Sequence, residues 1–379
     1  MNNYAIIDVE TTGACNDTKG NPFCINNNLV LAGLLYSNKH PHLVPGDSIP
    51  WVLARDITFV GANIKFDLHW LRRVGVTLPS RIWDISYAQF VIWRMKRPYV
   101  SLNDCLEEYG YPPKLDVVKT EYWEKGIDTD QVPMEILKEY LEGDLIKTEQ
   151  VYLAQLNYLA DKPQLLKLIK LGMEDILFTA EMEWNGLRYN LEASLLEGRK
   201  SEQKITEIDA DLTNRVGAPI PLNWDSNDHC SAALFGGIVK EDYREVYYQT
   251  LVSGEVKRKE RWAVREIQLP SLIAPLKEHK LKKEGYYATN VDALTKAYKR
   301  ATKKTKEIID LLLTRAKIEK LKSSYLEGIP KLYNAMGWIN GYIHGQFNHI
   351  VAATGRLASA KPNQQNIPEE ARGYLESRF

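Results

Sequence analysis

Cysteine is scarce and scattered. The chain has four, Cys15, Cys24, Cys105 and Cys230, with no Cys-x-x-Cys pair among them. Neither a disulfide framework nor a zinc site is suggested, and the thiols read as reduced structural groups. Long uncharged apolar runs are also missing, so no membrane partner is expected. The first residues, Met1 to Glu10, lead straight into a strand with two acids rather than into a basic leader followed by an apolar stretch, and a cytoplasmic protein is expected. No internal repeat and no low-complexity tract is present. Net charge is lacking too, because 49 Lys and Arg cancel 49 Asp and Glu. The cancellation is uneven: residues 1–155 hold 15 basic against 20 acidic residues, and residues 156–379 hold 34 against 29. That split suits an acidic metal-holding domain joined to a basic one that meets phosphate, although a five-charge excess is also common in soluble domains.

What is present is ordinary for a soluble globular protein, 44% hydrophobic and 26% charged residues. At 379 residues the chain is too long for one typical core, which points to two domains and a remnant. Tyr4 to Val9, Leu29 to Tyr36 and Ile57 to Val60 read as strands. Ile64 to Val74 and Met134 to Leu156 have apolar residues at helical spacing. The sequence thus predicts an α/β domain over 1–155. Asp161, Lys162 and Pro163 break the pattern, and Leu165 to Trp184 and Leu191 to Leu212 then read as amphipathic helices. Pro219 to Tyr287 reads as irregular. Val291 to Met336 is a long helical stretch carrying Lys299, Arg300, Lys303, Lys304 and Lys306.

Three pairs of residues are candidates for chemistry. Asp8 and Glu10 stand two apart at the end of the first strand, so both carboxylates point to one face. Such a pair is repulsive unless a cation lies between, and Mg²⁺ or Mn²⁺ is the usual answer for oxygen ligands. Taken alone, the pair also describes a strand that ends in two solvated acids. Asn63 and Asp67 in NIKFD are placed by their i, i+4 spacing on one face of a helix start, where a capping Asn and an exposed acid would look the same. Tyr140 and Asp144 in YLEGD put a phenol and a carboxylate on one helical face, a spacing that a core Tyr beside an exposed acid shares.

Together, in this order and setting, the pairs resemble the motifs of the DEDD exonuclease superfamily in its Tyr-containing branch: DVETTG, NIKFD, and YLEGD followed by Thr148. The resemblance implies an RNase H-like α/β domain that hydrolyses the 3′-terminal phosphodiester with two Mg²⁺ or Mn²⁺ ions, roughly 3.5 to 4 Å apart. Asp8 would bridge both ions. Glu10 and Asp144 would hold the ion that activates water, and Asp67 would hold the second through solvent. Tyr140 would orient the attacking water. Carboxylates alone, without Lys or Arg, would suffice as ligands. Thr11, Thr12 and Asn63 would contact the terminal nucleotide, and the product would be a nucleoside 5′-monophosphate.

The rest of the chain resembles the front part of a family A DNA polymerase. Ser101 to Lys114 is similar to phage-type proofreading domains, as is the stretch that follows through WEKGIDTD. MEWNGLRYN at Met182 to Asn190, NWDSNDHCSAALFGG at Asn223 to Gly237 and, most specifically, TGRLASAKPNQQNIP at Thr354 to Pro368 are similar to family A segments. This implies a helical thumb over 156–345 and the start of a palm over 346–379. Arg356, Gln365 and Asn366 would contact a primer–template duplex, although Glu369, Glu370 and Glu376 stand where the family is basic. The chain ends at Phe379, where the family's first polymerase motif would follow, so polymerisation is expected only with a separate chain carrying palm and fingers. Phe347, Ile350, Leu357 and Ile367 would then lack a covering layer, and the tail would be partly disordered until that partner ordered it. An autonomous nuclease that trims DNA or RNA ends, and a non-catalytic DNA-binding subunit with a vestigial site, are the alternatives.

Overall fold

Strand β1, Tyr4–Thr11, is buried along nearly its whole length, because it lies in the middle of a sheet with neighbours on both edges. The computed structural model describes residues 3–37, 39–46, 57–114, 116–252 and 255–377. In it, β1, β2 (Leu29–Tyr36), β3 (His42–Pro45), β4 (Thr58–Gly61) and β5 (Ile82–Asp84) form one sheet in the order β3-β2-β1-β4-β5. β1 runs antiparallel to β2, with Asp8 opposite Gly33, and parallel to β4. β3 and β5 complete the antiparallel and parallel sides. The three strands expected from apolar runs are there. The two added ones, of four and three residues, are too short to register as a period.

Helices cover this sheet. α1 is Lys65–Arg73, α2 Ile85–Ile92, α3 Leu102–Glu108, α4 Val117–Glu121, α5 Met134–Leu159 and α6 Pro163–Asn185. The Asp84 carboxylate starts α2 by accepting from the N–H groups of Ser86 and Tyr87, and a capping box of Ser101 and Asp104 starts α3. α5 buries Leu137, Leu141 and Leu145 completely, a contribution of about 2 kcal/mol each. It approaches the sheet at Gly33, where a Cβ would stand 2.7 Å from Leu145 Cδ1 and 3.1 Å from Leu141 Cγ. A glycine opposite Asp8 therefore sets how near the Tyr140–Asp144 turn of α5 can come to β1.

The chain forms two compact units, residues 1–194 with 328–379, and residues 195–327. The sequence placed α6 at the head of a second domain beginning at 156, yet its Ile169, Met173 and Ile176 belong to the core of the first unit. An amphipathic helix reveals that it has a buried face but not which core that face joins. Residues 328–379 also belong to this unit. Leu187–Tyr189 pairs with Tyr342–Ile343 on one side and Leu375–Glu376 on the other, and Gln346–Asn348 pairs with Ala358–Ala360. The tail thus carries ordered strands, and Phe347 and Ile367, expected to lack cover, are buried while Ile350 and Leu357 are half-buried. Leu187–Tyr189 gives Tyr342–Ile343 and Leu375–Glu376 a strand edge to pair with, Phe347 lies in its own short hairpin, and Ile350 packs against the core of the first unit.

The second unit has a core of Leu212, Trp224, Leu234, Ile308 and Ile309, among others. Its buried Arg315 donates to Asp209 (2.5 Å) and to Asp225 (2.8 Å). The stretch expected to be irregular contains a helix, Asn227–Phe235, and a hairpin of two 14-residue strands, Gly237–Thr250 and Val256–Leu269. Among the described residues of the hairpin only Val239 and Leu269 are buried, so the apolar alternation that marks a half-buried strand is absent. Cross-strand ion pairs take its place. Among the described residues no helix is long and apolar enough to cross a membrane.

Candidate active site

Asp8 and Glu10 sit on the central strand, Asp67 in the first turns of α1 and Asp144 in the middle of α5. Glu10, Asp67 and Asp144 are buried and Asp8 is half-buried. Asp67 is tied directly to β1, its Oδ1 accepting from the Val9 N–H at 3.1 Å. The helix that carries it is set in place by Asp84, whose Oδ2 accepts from the Ile64 N–H at 3.1 Å. Asn63, expected on the same helical face as Asp67, instead lies outside the helix in a left-handed conformation, φ +54°, and is exposed. The turn from β4 into α1 needs that backbone state, and Asn tolerates it better than most residues.

The carboxylates perturb one another. Burial pushes the Asp8 carboxyl up to about 7, with Asp144 adding to the rise while Lys114 and the Val9 N–H oppose it. Glu10 is pushed well above the usual range by burial and then by Asp8 and Asp144, and Asp67 by burial and then by Asp8. Asp144 is raised by burial, with Lys114 pulling the other way. Three chain segments thus converge electrostatically on Asp8. Anions packed this way without a counter-cation hold protons instead.

Lys114 is the residue that the sequence reading passed over. Its Nζ donates to Tyr140 Oη and to Asp144 Oδ2, both at 2.6 Å, and stands over the Tyr140 ring. Burial works against this ammonium, but Asp144 and Tyr140 outweigh it and hold its pKa above the usual lysine range. The Tyr140 hydroxyl is raised by burial and then by Asp144. The carboxylates are thus not the only charged groups in the site, because the Lys114 ammonium supplies positive charge where Asp144 and Tyr140 meet. Lys114 lay inside the SLNDCLEEYGYPPK segment, but nothing local assigned it to Asp144, thirty residues on.

Among the described residues no three His, Cys, Asp or Glu side chains close on a point as a ready ligand cage. The donor chemistry nevertheless fits a hard divalent cation: four carboxyls, three buried and one half-buried, each with its pKa raised by burial. Asp8, Glu10, Asp67 and Asp144 are the residues that would hold it. A stability prediction follows. A carboxyl whose folded pKa is raised binds protons more tightly folded than unfolded, so chelated protein is most stable below the usual carboxylate range and loses stability as pH rises through about 7 for Asp8. With about 1.4 kcal/mol per pKa unit, the melting temperature in chelator should fall by about 5 °C or more between pH 5 and pH 8. Mg²⁺ or Mn²⁺ should restore it at pH 8 and do little at pH 5. A chelated protein equally stable at both pH values would rule out this clustering of the acids.

The residues expected to contact the terminal nucleotide or the primer–template are divided. Thr11 and Thr12 are buried, and Thr12 Oγ1 accepts from the Asn28 N–H at 2.7 Å. The Gly13 N–H is held by both oxygens of Asp128, at 2.9 and 2.8 Å. The threonines therefore shape the turn after β1. Arg356 is exposed in the loop before Ala358–Ala360, and Gln365 and Asn366 are exposed on one 3-10 turn.

A further network fixes α1. Glu183 Oε1 accepts from Lys65 Nζ (2.6 Å) and the Phe347 N–H (2.5 Å), and Glu183 Oε2 pairs with His69 Nε2 (2.8 Å). Lys65 and His69 lie two residues either side of Asp67. Although burial alone would raise it, the His69 and Lys65 contacts hold the Glu183 carboxyl below its usual range, so it is ionised, while burial keeps His69 neutral.

Residues 263–378 match the DNA polymerase family A profile. The chain is 26% identical over 311 residues to DNA polymerase I of Chloroflexus aurantiacus, covering 81% of this chain and 28% of the relative. It is 25% identical over 300 residues to DNA polymerase I of Bacillus subtilis, covering 79% and 28%. A thermostable DNA polymerase I of Thermus thermophilus is 33% identical over 191 residues, covering 50% and 17%. The chain thus spans little more than a quarter of the length of the first two. Its fold is similar to that of the POL domain of Pol1 from M. smegmatis, solved in complex with DNA primer-template and dNTP, with a TM-score of 0.67 and 18% identity over 99% of this chain and 54% of that one. The chain is related to the family A DNA polymerases.

Proposed function

We propose that the α/β part of this family A polymerase relative is a metal-dependent 3′→5′ exonuclease domain of the DEDD class, acting in proofreading during DNA replication. The observation that carries this reading is the convergence of Asp67 and Asp144, from separate helices, on Asp8 and Glu10 of the central strand, with Tyr140 one helical turn from Asp144. The sheet order, antiparallel through β1 to β3 and parallel through β4 and β5, supports an RNase H-like fold.

Two divalent cations, when bound, would supply a hydroxide nucleophile and neutralise the departing 3′ oxygen. The chain's own groups do the rest. Asp8, Glu10, Asp67 and Asp144 offer the anionic ligands, and the β1–α1 tie through Val9 keeps two of them in register. Tyr140 Oη, which accepts from Lys114, would orient a water beside Asp144. Templated synthesis would need palm carboxylates and a nucleotide-binding fingers helix from outside residues 1–379, on this polypeptide or on a separate chain. Arg356, Gln365 and Asn366 would contact the primer–template there.

The test is degradation of a 5′-labelled single-stranded DNA in Mg²⁺, with the product identified. A ladder shortening from the 3′ end with release of nucleoside 5′-monophosphates is expected, and chelator should stop it. Tyr140→Phe should slow the reaction by about 10-fold, since it removes a water-orienting hydroxyl and leaves every carboxylate. Endonucleolytic products, or equal damage from Tyr140→Phe and Asp144→Ala, would defeat these roles.

A further inference from the structure

The hairpin of residues 237–269 is electrically divided along its length. In the half nearer the core, Lys240 pairs with Glu266 (2.8 Å), Arg265 with Glu241, Arg261 with Glu245 (2.6 Å) and Arg244 with Glu260 (3.3 Å). Its cations are thus spent internally. Beyond Glu245 the pattern changes. Residues 246–252 contain no acid, and residues 255–259 contain Glu255 against Lys257, Arg258 and Lys259. Arg258 reaches Glu260 at 3.1 Å, and among the described residues Lys257 and Lys259 have no ion-pair partner.

Aromatic rings accompany these cations on both faces. Tyr247 pairs across the ribbon with Lys259, and Tyr248 with Arg258. Adjacent strand residues point to opposite faces, so each face carries one tyrosine opposite one basic side chain. Tyr248 is 69% exposed, Tyr247 is 37% exposed with the Arg261 guanidinium over one ring face at 5.5 Å, and the three basic residues are exposed. An apolar protein surface would desolvate the cations without compensation. A duplex would take the cations and leave the rings without a base to stack on. A single strand satisfies both, with phosphates for the ammonium and guanidinium groups and unpaired bases for the phenol rings.

We propose that the distal half of this hairpin binds single-stranded nucleic acid, Lys257, Arg258 and Lys259 holding phosphates while Tyr247 and Tyr248 stack on bases. The site stands independently of the exonuclease assignment. It is tested with the full chain and a labelled oligodeoxythymidylate of about 30 nucleotides, phosphorothioate-linked so that it is not cut, by anisotropy across a salt series. The triple variant K257A/R258A/K259A should bind at least about 10-fold more weakly and lower the salt slope by about 2, from about 0.7 per phosphate contact. Tyr247→Ala with Tyr248→Ala should also weaken binding by about 10-fold or more, with the slope unchanged. Lys240→Ala, in the neutralised half, should stay within about twofold of the parent. All substituted side chains are exposed, so unchanged melting temperatures are expected and checked. Variants that bind the strand within twofold of the parent overturn the site. Equal losses of the triple variant on strand and blunt duplex, with none for the tyrosine pair, overturn the base-stacking assignment in favour of a bare phosphate contact.

Discussion

Replacing Asp8 and Glu10 together by alanine should lower the rate of 3′-end degradation by at least about 10³-fold, a loss of about 4 kcal/mol of transition-state stabilisation. The two residues provide half of the anionic donors, and Asp8 is the carboxyl that interacts electrostatically with both Asp144 and Asp67. A second readout separates this from misfolding. Buried carboxyls that repel one another are a burden to the metal-free fold, so the double variant, in chelator at pH 8, should melt no lower than the parent. It should also lose the stabilisation that Mg²⁺ gives the parent. A double variant that still trims DNA in Mg²⁺ near the parental rate would end the exonuclease assignment. One that melts far below the parent would mean that the acids are structural rather than cation-holding.

How far the sequence carried this picture depends on how local each feature is. β1, β2 and α5 were legible because their apolar spacing matches their period over eight or more residues. The acid pairs were legible as spacings, and the superfamily resemblance put them in one site. What was lost depends on partners distant in the chain. Lys114 acquires its role only when the loop before α4 comes against α5. The hairpin escaped because charge pairing, which leaves no apolar period, stabilises its strands. Asn63 was read as helical, although it lies just before the N-cap, because i, i+4 spacing cannot tell a helical residue from a left-handed one next to the helix.

Glu183 is the strongest case of a role invisible in sequence, and Glu183→Ala should be the most destabilising single change in the first unit's polar network. The carboxylate is 4% exposed and the Lys65 side chain 12%. Truncation leaves the ammonium buried beside the Phe347 carbonyl with no ion-pair partner and only the coulombic pull of Asp84, and leaves both His69 and the Phe347 N–H short of an acceptor. Breaking a buried ionic pair from one side costs about 3 to 5 kcal/mol, or about 10 °C in melting temperature for a domain of this size. The depressed pKa of Glu183 means that its contribution is present above the ordinary glutamate range and is lost as pH falls through the lower folded value, so the penalty should shrink in acid. Lys65→Met separates an orphaned charge from lost packing: in that background the Glu183→Ala change should cost markedly less than alone, since no cation is stranded. Because Lys65 and His69 flank Asp67 on α1, the single variant should also lose exonuclease rate at temperatures where it stays folded. If Glu183→Ala costs under about 1 kcal/mol, or the same with Lys65 and with Met at position 65, the network does not anchor α1, and the position of Asp67 must rest on Asp84 and the Val9 N–H alone.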